Sequence, residues 1–309
     1  MAFTAQDVKK LREMTNVGMM DCKKALQATD GDIEKAVDWL REKGLAKAAK
    51  KADRVAAEGV AYAANVDGVG VVIEVNSETD FAAKTDAFMD LVKNLAVAVA
   101  KNNPADVDAL KACTYPGSNL TITEIMQEKV MSIGENMQIR RFARFADNTS
   151  VAYVHAGGTH GVLVNLAVEG DIDVTEIGKN VAMQIAAMSP KYWDKSLVPQ
   201  ADVDHEMSVQ MALMDNDPKM ANKPAQIKEK IASGKLAAFF KECCLLQQDF
   251  VRSDLFQGSV EGYIADAAKK LGGSVKFVDA IHYVKGEGIE KKVDDFAAEV
   301  AAQVANAGK

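Results

Sequence analysis

The sequence predicts an α+β fold with a duplicated core, and three observations predict it. Apolar residues recur at helical spacing over the first forty-five positions, two later stretches read as strand, Gly-bearing turn and strand, and those two stretches match at one fixed shift. Val60-Ala61-Tyr62 returns as Val151-Ala152-Tyr153, and the same shift (151 − 60 = 91) carries Gly70-Val71 onto Gly161-Val162 without a gap. A chain of 309 residues, 48% of them hydrophobic, is long enough for two or three cores.

The N-terminal stretch reads as three short helices. Thr4-x-x-Asp7 is a capping box ahead of Val8 and Leu11, and Gly18 breaks the chain before a second helix carrying Met19, Met20, Cys22 and Leu26. Asp32 opens a third, with Ile33, Ala36, Val37 and Leu40 on one face and Gly44 as its C-terminal stop. Residues 1–45 therefore form a small module that either docks a partner or is simply a packed domain. Residues 46–58 form an Ala- and Lys-rich tether whose charges, Lys47, Lys50, Lys51 and Arg54, are expected on a solvated face.

The first core copy, residues 59–148, has a hairpin turning at Asp67-Gly68, whose second strand runs into Val71-Val72-Ile73-Glu74-Val75. A polar turn, Asn76-Ser77-Glu78-Thr79-Asp80, then leads to Phe81 and to a helix starting near Thr85 with Phe88, Leu91, Val92, Leu95 and Val99 inward. An aromatic on a connecting turn either folds back as a staple over the helix start or projects toward a partner. A helix over 124–130 and a strand over 139–145 follow, with Arg140, Arg141 and Arg144 expected on a solvated face. The second copy begins at residue 149, turns at Gly157-Gly158 and leads to a helix with Ile177, Val181, Ile185 and Met188. Its first part, 149–198, is interrupted by a helical hairpin over 199–256, bounded by prolines and suited either to dimerisation or to ordinary packing. Residues 257–288 complete the copy with a strand over 274–284. Residues 289–309 form a last helical module carrying Val293, Phe296, Val300 and Val304 at helical spacing.

Composition and motif content narrow the function. A formal charge of −7 argues against a protein whose main work is to hold nucleic acid. No apolar run approaches the roughly 18 residues that read as a membrane span, and the first residues show no leader, so a cytoplasmic location is expected. Cys22, Cys113, Cys243 and Cys244 make neither a disulfide framework nor a zinc motif. The four histidines, His155, His160, His205 and His282, fall in no catalytic motif; the His155-x4-His160 spacing suits turn residues better than a metal site. Phosphate-cradling glycine motifs are missing, so neither a nucleotide cofactor nor a metal is expected, and no residue is assigned a catalytic role.

Several motifs in one order resemble those of bacterial elongation factor Ts: Gly18-Met19-Met20-Asp21-Cys22-Lys23-Lys24-Ala25-Leu26, Thr79-Asp80-Phe81, Ile133-Gly134-Glu135-Asn136 followed by Ile139-Arg140-Arg141, Tyr153-x-His155, Leu245-Leu246-x-Gln248-x-Phe250-Val251 and Gly286-Glu287-Gly288-Ile289-Glu290. The likeness covers essentially the whole chain. Departures are mild: Thr15-Asn16-Val17 stands where Thr-Gly-Ala is frequent, and Ala82 where Val is common. The hairpin resembles the family mainly in pattern, which leaves a homodimer open.

The resemblance implies a ubiquitin-associated-like N-terminal module, a duplicated core, a protruding hairpin and a C-terminal module. It also implies guanine-nucleotide exchange on elongation factor Tu, bound in its GDP and nucleotide-free forms, without covalent chemistry. By motif correspondence Arg12, Met19, Met20 and Lys23 would dock the N-terminal module. Asp80 and Phe81, preceded by Thr79, would wedge near the partner's Mg²⁺. Ile133, Gly134 and His155 would line the contact face, and Phe296 and Val300 would touch the partner from the last helix. Two other classes compete: a polypeptide-binding adaptor acting through residues 1–45, and a thiol hydrolase using Cys22 or Cys243 with His155.

Overall fold

The computed structural model describes residues 3–15, 17–220 and 223–290, with the side chains of 45–49 left aside. The N-terminal helices are α1 (Ala5–Thr15), α2 (Met19–Ala28) and α3 (Ile33–Lys51), packed around Leu11, Cys22, Ala25, Leu26 and Ala36. The Thr4–Asp7 box forms as expected: Asp7 accepts from the Thr4 N–H at 2.7 Å, and the Asp7 N–H donates back to Thr4 Oγ1 at 3.4 Å. Gly44 does not stop the third helix, which continues to Lys51. Gly44 is there for space: a Cβ on it would lie 2.5 Å from Met131 Sδ, so the missing side chain lets this helix pack closely on a helix of the core.

The first sheet and its helices comprise β1 (Glu58–Val66), β2 (Val69–Ser77), α4 (Asp80–Ala83), α5 (Asp86–Asn102), α6 (Val107–Ala112), α7 (Ile122–Ile133) and β3 (Met137–Phe145). After them come β4 (Thr149–His155), β5 (His160–Glu169), α8 (Thr175–Met188), the helices α9 (Gln200–Asn216) and α10 (Ala225–Cys243), then α11 (Val260–Lys270) and β6 (Ser274–Val284). The strands form two three-stranded antiparallel sheets, in the orders β1-β2-β3 and β4-β5-β6. The ladder irregularity at Asn165/Leu166 stands 91 positions (165 − 74) after the one at Glu74/Val75, the same shift that relates the sequence motifs.

Each sheet uses its two faces differently. One face of the first sheet packs Val71, Ile73 and Val75 against Phe88, Leu91 and Leu95 of α5 and Ile125 and Val130 of α7. The second sheet packs Val162, Val164 and Leu166 against α8 and α11. The remaining faces pack on each other through Ala63, Val72 and Leu163, so the core has helices outside and two sheets between them. Small residues allow that approach. A Cβ on Gly161 would sit 2.9 Å from the Ala61 backbone, and one on Gly70 would sit 2.4 Å from Ser150 Cβ. Gly70 and Gly161, which match at the 91-residue shift, thus both lie where a side chain would collide with the other sheet.

The arginines of β3 do not lie on a solvated face. Glu74, fully buried at the bulge, accepts from Arg140 Nη1 at 2.9 Å, Arg141 Nε at 2.7 Å, Asn76 Nδ2 at 3.2 Å and the Gly286 N–H at 2.8 Å. Burial alone would push its carboxyl up, but the Gly286 N–H, the two guanidinium groups and Asn76 outweigh that and hold it below the usual value. Arg141 also reaches Glu287 at 3.0 Å and lies 4.2 Å from the centre of the Tyr283 ring. Through this cluster the Gly286-Glu287-Gly288 stretch is fastened to the first sheet. Arg144 donates to the Ala100 carbonyl at 3.2 Å. The tether is fastened likewise, because Lys51 donates to the Gly134 carbonyl and Arg54 pairs with Glu78 at 3.3 Å, while Lys50 stays exposed.

Helices α9 and α10 form the expected hairpin, with Met214 and Ala232 inside it and Lys228 paired to Asp215. The expected last helix, with Phe296 and Val300, lies outside the described residues.

Candidate partner-binding site

Phe81 projects; the staple alternative does not form. Beyond Ser77 the chain leaves the ladder, and Thr79, extended at φ −127°, caps the single-turn α4 by accepting from the Ala82 N–H at 3.2 Å. That turn points Ala82 and Ala83 into the core and leaves Phe81 80% exposed. Thr85 then donates to the Ala82 carbonyl at 2.7 Å and caps α5 through the Phe88 N–H. Burying a Phe side chain is worth about 1.5–3 kcal/mol, so its exposure forgoes stability that a neighbouring surface could recover. Asp80 pairs with Lys84 at 2.6 Å. The bond from Lys84 holds the Asp80 carboxyl below its usual range, with Lys285 contributing through its charge.

The second stretch is the end of α7. Gly134, at φ +89°, closes the helix in the left-handed region, which glycine enters without penalty, and nothing lies within 4 Å of where its Cβ would be. Ile133 is half-buried against the first core. Beyond it, Glu135 accepts from both the N–H and the hydroxyl of Thr79, at 2.9 and 2.6 Å, and Glu78 accepts from the Asn136 N–H at 2.5 Å. The Phe81 turn and the Gly134 loop are therefore joined.

The third stretch is the β4–β5 loop. His155 is exposed, its Nδ1 2.8 Å from the Tyr153 hydroxyl. His160 Nδ1 and His282 Nε2 are 3.0 Å apart, and burial lowers the pKa of both rings; the neighbouring His155 adds to this for His160, and His160 for His282. Three clustered histidines were not legible from spacing alone, since His282 arrives from another strand. Among the described residues no group of three or more ligating side chains could hold a metal ion. Lys285 links this stretch to the first: its N–H donates to the Thr159 carbonyl at 2.8 Å, its Nζ pairs with Glu58 at 2.6 Å, and its charge reaches Asp80.

Arg12, Met19, Met20 and Lys23 lie on the separate helical module, all exposed. Met19 and Met20 are 47% and 64% exposed, so neither belongs to the module's core; Cys22 beside them is fully buried, and burial raises its thiol pKa. A buried, protonated thiol is a poor nucleophile, which disfavours the hydrolase reading for Cys22. The module meets the core where Met131 enters its cluster and Arg41 pairs with Glu128 at 3.5 Å, both contacts on α7, the helix that ends in Gly134. Glu78, Glu135 and Lys285 had not been singled out in the sequence. Glu135 lay inside a quoted motif, but its partner is 56 positions away.

The family model described as Elongation factor TS matches residues 78–287. The chain is 47% identical over 308 residues to Elongation factor Ts of Clostridioides difficile, covering 98% of this chain and 99% of that one. It is 43% identical over 309 residues to Elongation factor Ts of Paramagnetospirillum magneticum, covering 97% of each. With Elongation factor Ts of Magnetococcus marinus it shares 43% over 307 residues, covering 98% and 99%.

Proposed function

The chain belongs to the elongation factor Ts family, and we propose that it is a guanine-nucleotide exchange factor that binds elongation factor Tu, weakens its hold on GDP and lets GTP replace it during translation elongation. The observation that carries the proposal is Phe81, 80% exposed on a one-turn helix whose other residues are anchored. Tight nucleotide binding by such a GTPase depends on a phosphate loop, a bound Mg²⁺ and the helices that hold both. An aromatic inserted between those helices, with Asp80 beside it, weakens the Mg²⁺ and phosphate contacts. Linkage makes the effect reciprocal: factor and nucleotide lower each other's affinity by one coupling free energy, and the factor is not consumed. Its own residues make and break no covalent bond in this scheme.

In this reading Ile133, Gly134 and His155 add contact area around the wedge. Arg12, Met19, Met20 and Lys23 dock the 1–45 module, and Phe296 and Val300 act from the 289–309 module. The matching sheet orders and the repeated bulge support a duplicated core over 59–148 and 149–288, interrupted by the hairpin. Exposed Val209 and Leu213 on α9 and Ile227 on α10 support the hairpin as a surface for a second copy. No described helix is long and apolar enough to cross a membrane, which fits a cytoplasmic role.

The experiment is release of a fluorescent GDP from elongation factor Tu with wild-type protein and with Phe81→Ala. The variant is expected to keep its circular dichroism and lose most of the acceleration. Unchanged kinetics in a folded variant would sink the wedge.

A further inference from the structure

We propose that Glu135 is the positioning residue for the wedge: its carboxylate selects the Thr79 hydroxyl orientation that caps α4 and thereby fixes where Phe81 points. The proposal rests on the exchange reading above. The β2–β3 ladder ends at Ser77 and Met137, yet the two chains stay joined beyond it through side chains. Glu135 takes the Thr79 N–H at 2.9 Å and the Thr79 hydroxyl at 2.6 Å, while Glu78 takes the Asn136 N–H at 2.5 Å. Each chain thus offers a carboxylate to the other's backbone.

A threonine hydroxyl has one hydrogen to donate. With that hydrogen committed to Glu135, a lone pair is left facing the Ala82 N–H at 3.2 Å, and this is the helix cap. The cap matters because α4 is four residues long, far below the length at which a helix holds itself, and because Phe81, 80% exposed, has only the exposed Lys84 ammonium 6.0 Å over its ring. Glu135 is itself held. Gly134 turns the chain at φ +89°, Lys51 donates to the Gly134 carbonyl, and the Asn136 side chain donates to the carbonyls of Arg54 at 2.8 Å and Ala52 at 3.3 Å. The position of the wedge is therefore referred back, through two carboxylates, to the tether and α7.

Glu135→Gln puts an amide NH₂ where one acceptor now stands and removes the charge; Thr79→Val removes the cap but leaves Glu135 in place. In nucleotide-release titrations on elongation factor Tu, both variants are expected to keep half-saturating concentrations within about twofold of wild type. Their maximal release rates are expected to fall about tenfold, the factor that loss of a helix N-cap worth ~1.4 kcal/mol corresponds to. The double variant is expected to be no slower than the worse single one, because both act through one cap, and Thr79→Ser is expected to restore the rate. A merely structural role would lower thermal stability without that split between maximal rate and half-saturation. A full maximal rate in folded Glu135→Gln and Thr79→Val, with Phe81→Ala slowed, would overturn the positioning role alone. A full rate in Phe81→Ala would overturn it together with the wedge.

Discussion

Replacing Glu74 by alanine is expected to destabilise the core by about 3 kcal/mol, a figure that follows from what the carboxylate holds. Glu74 is fully buried and accepts four hydrogen bonds, at 2.7, 2.8, 2.9 and 3.2 Å, two of them from guanidinium groups. Removing one partner of a buried ion pair costs about 3–5 kcal/mol, because the remaining charge is left without its counter-ion. The side chains of Arg140 and Arg141 are 29% and 31% exposed, so water reaches them, and Asn76 keeps its bond to the Glu58 carbonyl; both points favour the lower end of that range. For a body of about 200 residues this corresponds to a fall of roughly 6–12 °C in Tm. Urea unfolding followed by circular dichroism gives the free energy, with an unchanged m-value showing that compactness is kept. Replacing Glu74 and Arg141 together, by Leu and Met, is expected to cost less than the sum of the single changes, since Arg140 alone is then left without its counter-ion. A loss below about 1 kcal/mol in Glu74→Ala at neutral pH would refute the account of this cluster.

Two further perturbations address the packing of the sheets and the histidines. Gly161→Ala places a Cβ 2.9 Å from the Ala61 backbone, so the sheets must separate; a loss of about 1–3 kcal/mol is expected by thermal unfolding, and an unchanged Tm would contradict the packing argument. His160 and His282 have folded pKa values below the reference of 6.5, so the unfolded chain takes up protons that the folded one refuses. Stability is then full above about pH 6.5 and declines as pH falls through the depressed values, with Glu287 opposing and Arg141 reinforcing the shift at His282. The Tm difference between pH 7.5 and 5.5 is expected to shrink in His282→Gln, and an unchanged difference would remove these rings as its source.

What could be read from the sequence was what local pattern controls. The hairpins, the repeat, α5, the capping box at Thr4 and the strand at 274–284 are written in spacing and turn residues within a few positions of one another. What could not be read depends on long-range pairing. Arg140 and Arg141 sit among Ile139, Phe142 and Phe145 as charges of a solvated face would, and only β2, 66 and 67 positions earlier, supplies the buried carboxylate that makes them internal. Gly44 carries the usual signal for a helix end, but its role is clearance for Met131, which no window around Gly44 contains. No element is assigned to residues 260–270 from the sequence, yet Val260, Tyr263, Ile264 and Ala268 have helical spacing and Ser259 caps the helix there, so α11 was within reach of local pattern. At the candidate site the exposure of Phe81 was one of two readings of the turn, and burial of Ala82 and Ala83 decided between them.

The central claim is that this protein accelerates nucleotide release from a GTPase by contact alone. The most direct measurement is the stopped-flow release rate of fluorescent GDP from purified elongation factor Tu, with excess unlabelled nucleotide, over increasing concentrations of this protein. The account requires a large acceleration that rises with concentration and saturates. A rate equal to spontaneous release at every concentration, with both proteins shown to be folded, would contradict it.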